Sequence, residues 1–187
     1  MPSGFRTTTP DNLILDTGVF SYLVGAVETF PGITRGEMGF EPGIEYRQPE
    51  FNGKRHAMAG LDRVTGFASR MTGIELMEID ADLLELFSVG SSSAVVGDET
   101  TVTPPSAGAV IAKGSLILRP RLTYRISGGG LYTVEFDYGF VSERNLATGD
   151  KDEGRWEITI EARVDPAAVG YTTDDPDFRE IYTAAAA

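Results

Sequence analysis

Residues 116–140 read LILRPRLTYRISGGGLYTVEFDYGF. Leu116, Leu118, Leu122, Tyr124 and Ile126 share one parity, and Arg119, Arg121, Thr123 and Arg125 share the other. Strand side chains alternate between faces, so this run predicts a strand with one apolar and one basic face. Pro120 interrupts it and, having no N–H for a ladder, marks an edge or a bulge. Gly128-Gly129-Gly130 follows as a turn in which positive φ carries no steric cost. Beyond it, Tyr132, Val134, Phe136, Tyr138 and Phe140 alternate with Thr133, Glu135, Asp137 and Gly139. Folding the two runs about Gly129 predicts a hairpin. On its buried side Ile126 faces Tyr132, Tyr124 faces Val134 and Leu122 faces Phe136. On the other side Arg125 faces Thr133, Thr123 faces Glu135 and Arg121 faces Asp137. Opposite charges across such a pair contribute about 0.2–1 kcal/mol. The arginine row therefore reads as a neutralised face rather than a nucleic-acid stripe.

The pattern continues outward. Trp156, Ile158, Ile160, Ala162 and Val164 alternate with Arg155, Glu157, Thr159, Glu161 and Arg163, a third strand. Between it and the hairpin, residues 142–154 are polar and contain Thr148-Gly149-Asp150, which reads as a loop. Upstream, residues 18–27 are apolar and read as one buried strand. Residues 37–48 are strand-like but broken by Gly39, Pro42 and Gly43. Residues 63–78 read as a long strand whose apolar positions change parity, which predicts a bulge or bend. Asp80 is a good N-cap, Asp82 suits the first turn and Gly90 a stop, so one helix of about nine residues is expected, with Leu83, Leu84 and Phe87 on one face. Residues 91–114 read as a long loop with strand pieces at 100–103 and 109–112. The expected organisation is an N-terminal arm (1–12), a β-sandwich or partial barrel with one flanking helix (13–170) and a C-terminal arm (171–187). In that last arm Tyr171, Phe178, Ile181 and Tyr182 are anchors for a neighbour or for the parent sandwich.

Composition narrows the function. The chain has 187 residues, 41% hydrophobic and 24% charged, enough to bury a core in one domain. Glycine makes up 22 of them, above the usual ~7%. Net charge is −12, which repels phosphate backbones and argues against a nucleic-acid reader. There is no cysteine, which excludes disulfides, thiol catalysis and thiolate metal sites. The single histidine, His56, excludes a multi-histidine metal site. No apolar run approaches the ~20 residues of a membrane span, and the opening MPSGFRTTTPDN lacks a signal-peptide core, so synthesis in a cytoplasm is expected.

The search for chemistry returns no site. His56 lies in the polar stretch Asn52-Gly53-Lys54-Arg55-His56, without a nucleophile elbow of the G-x-S-x-G kind. Glu75, Glu78, Asp80, Asp82 and Glu85 cluster, but Asp80 and Asp82 are explained by the helix start and no D-x-D-x-D-G loop is present. Gly128-Gly129-Gly130 lacks the Lys-Ser and the helix of a phosphate loop, and Gly36-Glu37-Met38-Gly39 lacks the strand-to-helix context of a dinucleotide site. No catalytic residue, cofactor or metal is expected. A β-rich acidic chain with arms, long loops and no site points to work done by surfaces.

One family resemblance gives that reading a form. Ile33-Thr34-Arg35-Gly36-Glu37-Met38-Gly39-Phe40-Glu41-Pro42 resembles the "G-x-T-R-G-G" stretch of siphophage major tail tube proteins, with Glu37 where a second glycine is common. The next features follow in the family's order. They are a loop with Asn52-Gly53, then Ala59-Gly60-Leu61-Asp62-Arg63-Val64, a long strand, a short helix over 79–87, a closing hairpin and a last strand before Asp165-Pro166. The likeness spans most of residues 15–166, and residues 91–114 have no counterpart in it.

The resemblance implies two packed sheets with one flanking helix, no enzyme activity, and hexameric rings stacked into the tube that conducts DNA during ejection. It implies a virion tail protein, assembled in the host cytoplasm. Its partners are copies of itself and other tail proteins (tape measure, terminator and distal tail), with DNA passing through the lumen without specific binding and no membrane involved. The loop over residues 41–60 would contact the adjacent ring, with Glu41, Tyr46, Phe51, Asn52, Lys54, Arg55 and His56 as its contact residues. An acid-lined bore would let DNA slide, and the net charge makes that the expected sign. The competing readings are a head–tail connector or tail terminator ring, a ligand-binding β-sandwich module and, last, a hydrolase using acidic residues.

Overall fold

The structure is a computed structural model that describes Ile14 and residues 18–47, 63–147, 154–165 and 176–185. In chain order come β1 (Val19–Val24), β2 (Val27–Thr29), β3 (Thr34–Arg35), β4 (Gly39–Glu41) and β5 (Ile44–Arg47). Next are β6 (Arg63–Phe67), β7 (Arg70–Leu76), α1 (Ala81–Leu86), β8 (Ser92–Val96) and β9 (Glu99–Thr103). The last are β10 (Ile117–Leu118), β11 (Arg121–Arg125), β12 (Leu131–Phe136), β13 (Tyr138–Ala147), β14 (Arg155–Arg163) and β15 (Phe178–Thr183). The fold is mainly β, with one sheet curled as a half-barrel and a single short helix. One sheet has five strands in the order β15-β12-β11-β1-β2. The other runs β10-β13-β14-β7-β3, with β4 also on β7. Phe20, Leu122, Val134 and Phe136 from the first meet Met71, Ile74, Ile117, Ile158 and Ile160 from the second. Burying each such side chain contributes roughly 1.5–3 kcal/mol.

The hairpin of β11 and β12 forms on the expected face but in a different register. Leu122 pairs with Val134, Tyr124 with Tyr132, Thr123 with Thr133 and Arg121 with Glu135, each two residues from the expected partner. The turn explains the offset. Gly129 N donates to Ile126 O and Ile126 N to Gly130 O, both at 2.9 Å, so the loop is Ser127-Gly128-Gly129 and is centred on Gly128. Gly129 takes φ 83°, the left-handed position that a three-residue hairpin loop requires.

The same hairpin ties the two sheets together. Residues 132–140, expected as one strand, leave the five-stranded sheet after Phe136 and enter the six-stranded sheet at Tyr138. The partner run breaks at the same level, between β10 and β11, at Arg119-Pro120. Phe136 N donates to Pro120 O (3.1 Å) and Arg119 N to Asp137 O (3.0 Å). Pro120 thus sits where its carbonyl is used and no N–H is needed, at a corner where strands change sheet. Parity inverts across the corner. Gly139 is buried, whereas Tyr138 and Phe140 lie half-buried on the other face, so the expected single apolar face ends at Phe136.

Other expectations need correction. β13 continues to Ala147, through residues read as a polar linker, because β14 pairs with it as far as Ala147↔Arg155. Thr148-Gly149-Asp150 lies outside the described residues. The apolar run 18–27 is a hairpin, with β1 and β2 joined at Gly25-Ala26. The 100–103 piece is most of β9, paired with an unforeseen β8, whereas 109–112 forms no strand. The long strand 63–78 breaks at Ala68-Ser69, as its parity change suggested. α1 is shorter than expected, six residues, with Asp80 Oδ1 accepting from Leu83 N at 2.7 Å and Leu83 and Phe87 in the core. Phe178–Thr183, read as part of an arm, is an edge strand of the parent sandwich, while Tyr171 lies outside the described residues.

A second irregularity on β7 accounts for the Thr-Arg-Gly-Glu-Met-Gly stretch. β3 pairs with Glu75 and Leu76, and β4 with Arg70 to Thr72, so residues 36–38 step over Gly73. Gly73 has φ 68°, and a Cβ there would lie 2.3 Å from Glu37 O. Gly36 has φ 101°, and its Cβ would lie 2.7 Å from Gly73 O. The two backbones approach as only glycines allow. Gly73→Ala should therefore destabilise the fold by more than about 2 kcal/mol, read from the urea midpoint. Gly114→Ala, in open space at ordinary φ, should leave the midpoint unmoved.

Candidate assembly interface

The corner between the sheets holds a buried charge. Glu135 has no exposed surface, yet its carboxylate receives Arg119 Nη2 at 2.7 Å, Arg179 Nη2 at 2.8 Å and Arg121 Nε. Arg119 reaches it from a left-handed backbone, φ 44°, which costs a non-glycine residue roughly 1–2 kcal/mol. Burial pushes the Glu135 carboxyl up, but hydrogen bonds and charge from Arg119 and Arg121 outweigh this and hold it below the ordinary glutamate value. Arg179 also meets Asp137 at 2.9 Å, so this cluster fastens β15 to the corner.

Three further contacts hold β15. Asp177 accepts from Ser69 N at 3.1 Å, and its other oxygen lies 2.6 Å from Ser69 Oγ, at the break between β6 and β7. The Phe178 ring packs 4.9 Å from Phe40. Tyr132 Oη donates to Glu180 at 2.6 Å, and burial together with that bond pushes the phenol up.

Beyond these anchors the five-stranded sheet is open. Among the described residues β15 pairs only with β12, and β2 only with β1. Residues 179–183 are all exposed, and Val27 on β2 is 68% exposed, with Val24 and Phe30 exposed beside it. Unpaired N–H and C=O rows of this kind are templates for another strand. The face of this sheet turned away from the core forms a trough of about 520 Å3. Val19, Phe30, Leu131 and Ile181 line it together with Ser21, Glu28, Arg121 and Arg125. Ser21 Oγ donates to Glu28, and Arg121 is engaged by Glu135. Arg125, expected in a neutralised row, lies opposite Leu131 and has no carboxylate partner among the described residues.

Of the residues expected in the inter-ring loop, Glu41 ends β4 beside Arg70 (3.8 Å) and Tyr46 is exposed on β5. Phe51, Asn52, Lys54, Arg55 and His56 lie outside the described residues. The acidic cluster is dispersed in use: Glu75 pairs with Arg155 at 3.3 Å, Asp80 caps α1 and Glu85 accepts from Ser93. Among the described residues no group of three or more His, Cys, Asp or Glu side chains could hold a metal ion, and no helix is long and apolar enough to cross a membrane. The expected neutralisation of the arginine face holds for Arg119 and Arg121, which Glu135 pairs, whereas the full burial of Glu135 and its third partner Arg179, 44 residues away, were not legible in the sequence. No family model matches the chain, and no curated protein matches it significantly.

The corner predicts an acid response. Because the folded Glu135 carboxyl sits below its unfolded value of about 4.3, its contribution is complete above that pH and is lost as pH falls through the folded value. Stability measured against pH should therefore drop below about pH 4, and Glu135→Gln should flatten that drop. At neutral pH, Glu135→Ala should cost about 1.5–3 kcal/mol from the lost charge-assisted bonds, the arginines themselves reaching solvent and Arg179 keeping Asp137.

Proposed function

We propose that this chain is a structural subunit that pairs its strands with copies of itself, closes into hexameric rings and stacks as a hollow tube, as its resemblance to siphophage tail tube proteins implies. The observation that supports this reading is the five-stranded sheet with both margins unpaired among the described residues, bounded by the anchored β15 at one side and the short β2 at the other. Joining two different margins head to tail is a heterologous contact, which generates a ring when the rotation closes. A closed barrel then leaves no open margin to template aggregation. The anchoring of β15 by Asp177, Phe178 and Arg179 presents one margin in a fixed position. In this reading the tube belongs to a virion tail, is assembled in the host cytoplasm, meets the tape measure, terminator and distal tail proteins, and conducts DNA without specific binding.

Electron microscopy of the purified protein tests the reading. Tubes are expected. Isolated rings would favour a connector or terminator, and persistent monomers with glycan affinity a binding module. Val27→Lys places a charge on the β2 margin and should abolish ring closure while moving the thermal midpoint by less than a few degrees. Deleting residues 52–56 should leave the monomer folded and abolish stacking.

A further inference from the structure

The hairpin of β8 and β9 has no sheet to support it. Among the described residues the two strands pair only with each other, and a lone two-stranded hairpin is marginally stable in water. Its inward face, with Thr100 and Val102 half-buried, leans toward α1, where Ser93 Oγ donates to Glu85 at 3.0 Å. Its outward face carries Val96 directly opposite Glu99 and Ala94 opposite Thr101. Val96 is 80% exposed, and Asp98 stands in the turn beside it. The hairpin contains no lysine or arginine, and neither Asp98 nor Glu99 has an ion-pair partner among the described residues. An apolar anchor and two unpartnered acids thus project together from one tip.

A complementary seat lies on the same chain. A groove of about 460 Å3 is floored by Leu116, Tyr138, Phe140 and Val164, and its charged lining is Lys113, Arg163 and Asp165. The Lys113 ammonium sits 5.1 Å from the Tyr138 ring centre, and the Arg163 guanidinium 4.8 Å from that of Phe140, so both cations are placed over the floor. They have acidic neighbours, Asp165 for Lys113 and Glu161 for Arg163. Exposure separates the signs. The Lys113 and Arg163 side chains are 55% and 42% exposed, against 17% for Asp165 and 33% for Glu161. The groove therefore turns its positive groups to solvent, on a chain whose net charge of −12 repels an acidic tip elsewhere.

We propose that the β8–β9 hairpin of one copy docks in the Tyr138–Phe140 groove of a second copy, with Val96 on the aromatic floor and Asp98 and Glu99 against Lys113 and Arg163. Charge complementarity selects the occupant, because the tip is acidic, the more exposed charges of the seat are basic, and among the described residues neither Asp98 nor Glu99 has an ion-pair partner. The contact joins unlike surfaces, so it propagates from copy to copy in the manner of the strand pairing proposed above, but it does not depend on that pairing.

The absence of cysteine makes the test clean. Full-length Val96→Cys and Val164→Cys variants, each checked by circular dichroism for a native fold, are mixed and oxidised with copper–phenanthroline. A mixed disulfide dimer in excess of either homodimer is expected. Glu99→Lys in the first variant should lower its yield about two- to fivefold at low salt, and Arg163→Glu in the second should restore it. If Val164→Cys does not fold, Leu116→Cys serves in its place. Absence of the mixed disulfide, or a yield indifferent to both charge reversals, overturns the proposal. Tubes without the disulfide would refute the docking and leave the tube reading standing; the disulfide without tubes would do the reverse.

Discussion

The fold turns on one buried carboxylate. The hairpin that runs from β10 to β13 belongs to both sheets, and it bends where Arg119-Pro120 lies against Phe136-Asp137. A bend at that level brings Glu135 to a position with no exposed surface. An uncompensated charge there would cost several kcal/mol. Three guanidinium groups from β15, β11 and the Arg119 corner compensate it, and they also fix the geometry. Arg119 accepts an unfavourable φ to reach it, and Arg179 brings the C-terminal strand with it. The charge pairing thus specifies which strands meet, while burial of Phe20, Leu122, Phe136 and the isoleucines of β7 and β14 supplies most of the stabilisation.

That arrangement has a consequence for association. Fastening β15 to the corner completes the five-stranded sheet on the inside but leaves its outer row of backbone groups without partners among the described residues. β2, three residues long, ends the other side in exposed apolar residues. A chain with two unlike open margins has its own copy as an available partner for both. The β8–β9 hairpin adds a third unsupported element. Three separate parts of the molecule thus lack partners among the described residues, two of them margins of a core sheet and the third a hairpin standing off it.

How much of this was legible depended on the range of the interaction. The strand parity of residues 116–126 and 155–164, the Asp80 cap and the irregularity in 63–78 are local, and each was readable. The hairpin register was missed by two residues, since three consecutive glycines permit several turn centres and a shift of two keeps every side chain on its face. The sheet change at Asp137 was invisible because hydrophobic alternation continues through it in sequence while inverting in space. β8 escaped because Ser-Ser-Ala-Val-Val is too short and small to stand out, and the end of β13 because Glu143, Arg144 and Asn145 are polar in a row. The Arg179–Glu135 pair and the Asp177–Ser69 link join residues 44 and 108 apart, beyond any local pattern. Of the expected inter-ring loop, Glu41 and Tyr46 are placed at exposed positions, and its centre lies outside the described residues.

In the proposed assembly the margins of the five-stranded sheet are completed by other copies of the chain. Amide hydrogen exchange, compared between dilute and assembled protein, addresses it directly. Amides in Val27–Thr29 and Phe178–Thr183 that exchange freely at low concentration should become protected on assembly, while those of β7 and β14 remain protected throughout. Equal protection of both margins in dilute and assembled samples would contradict it.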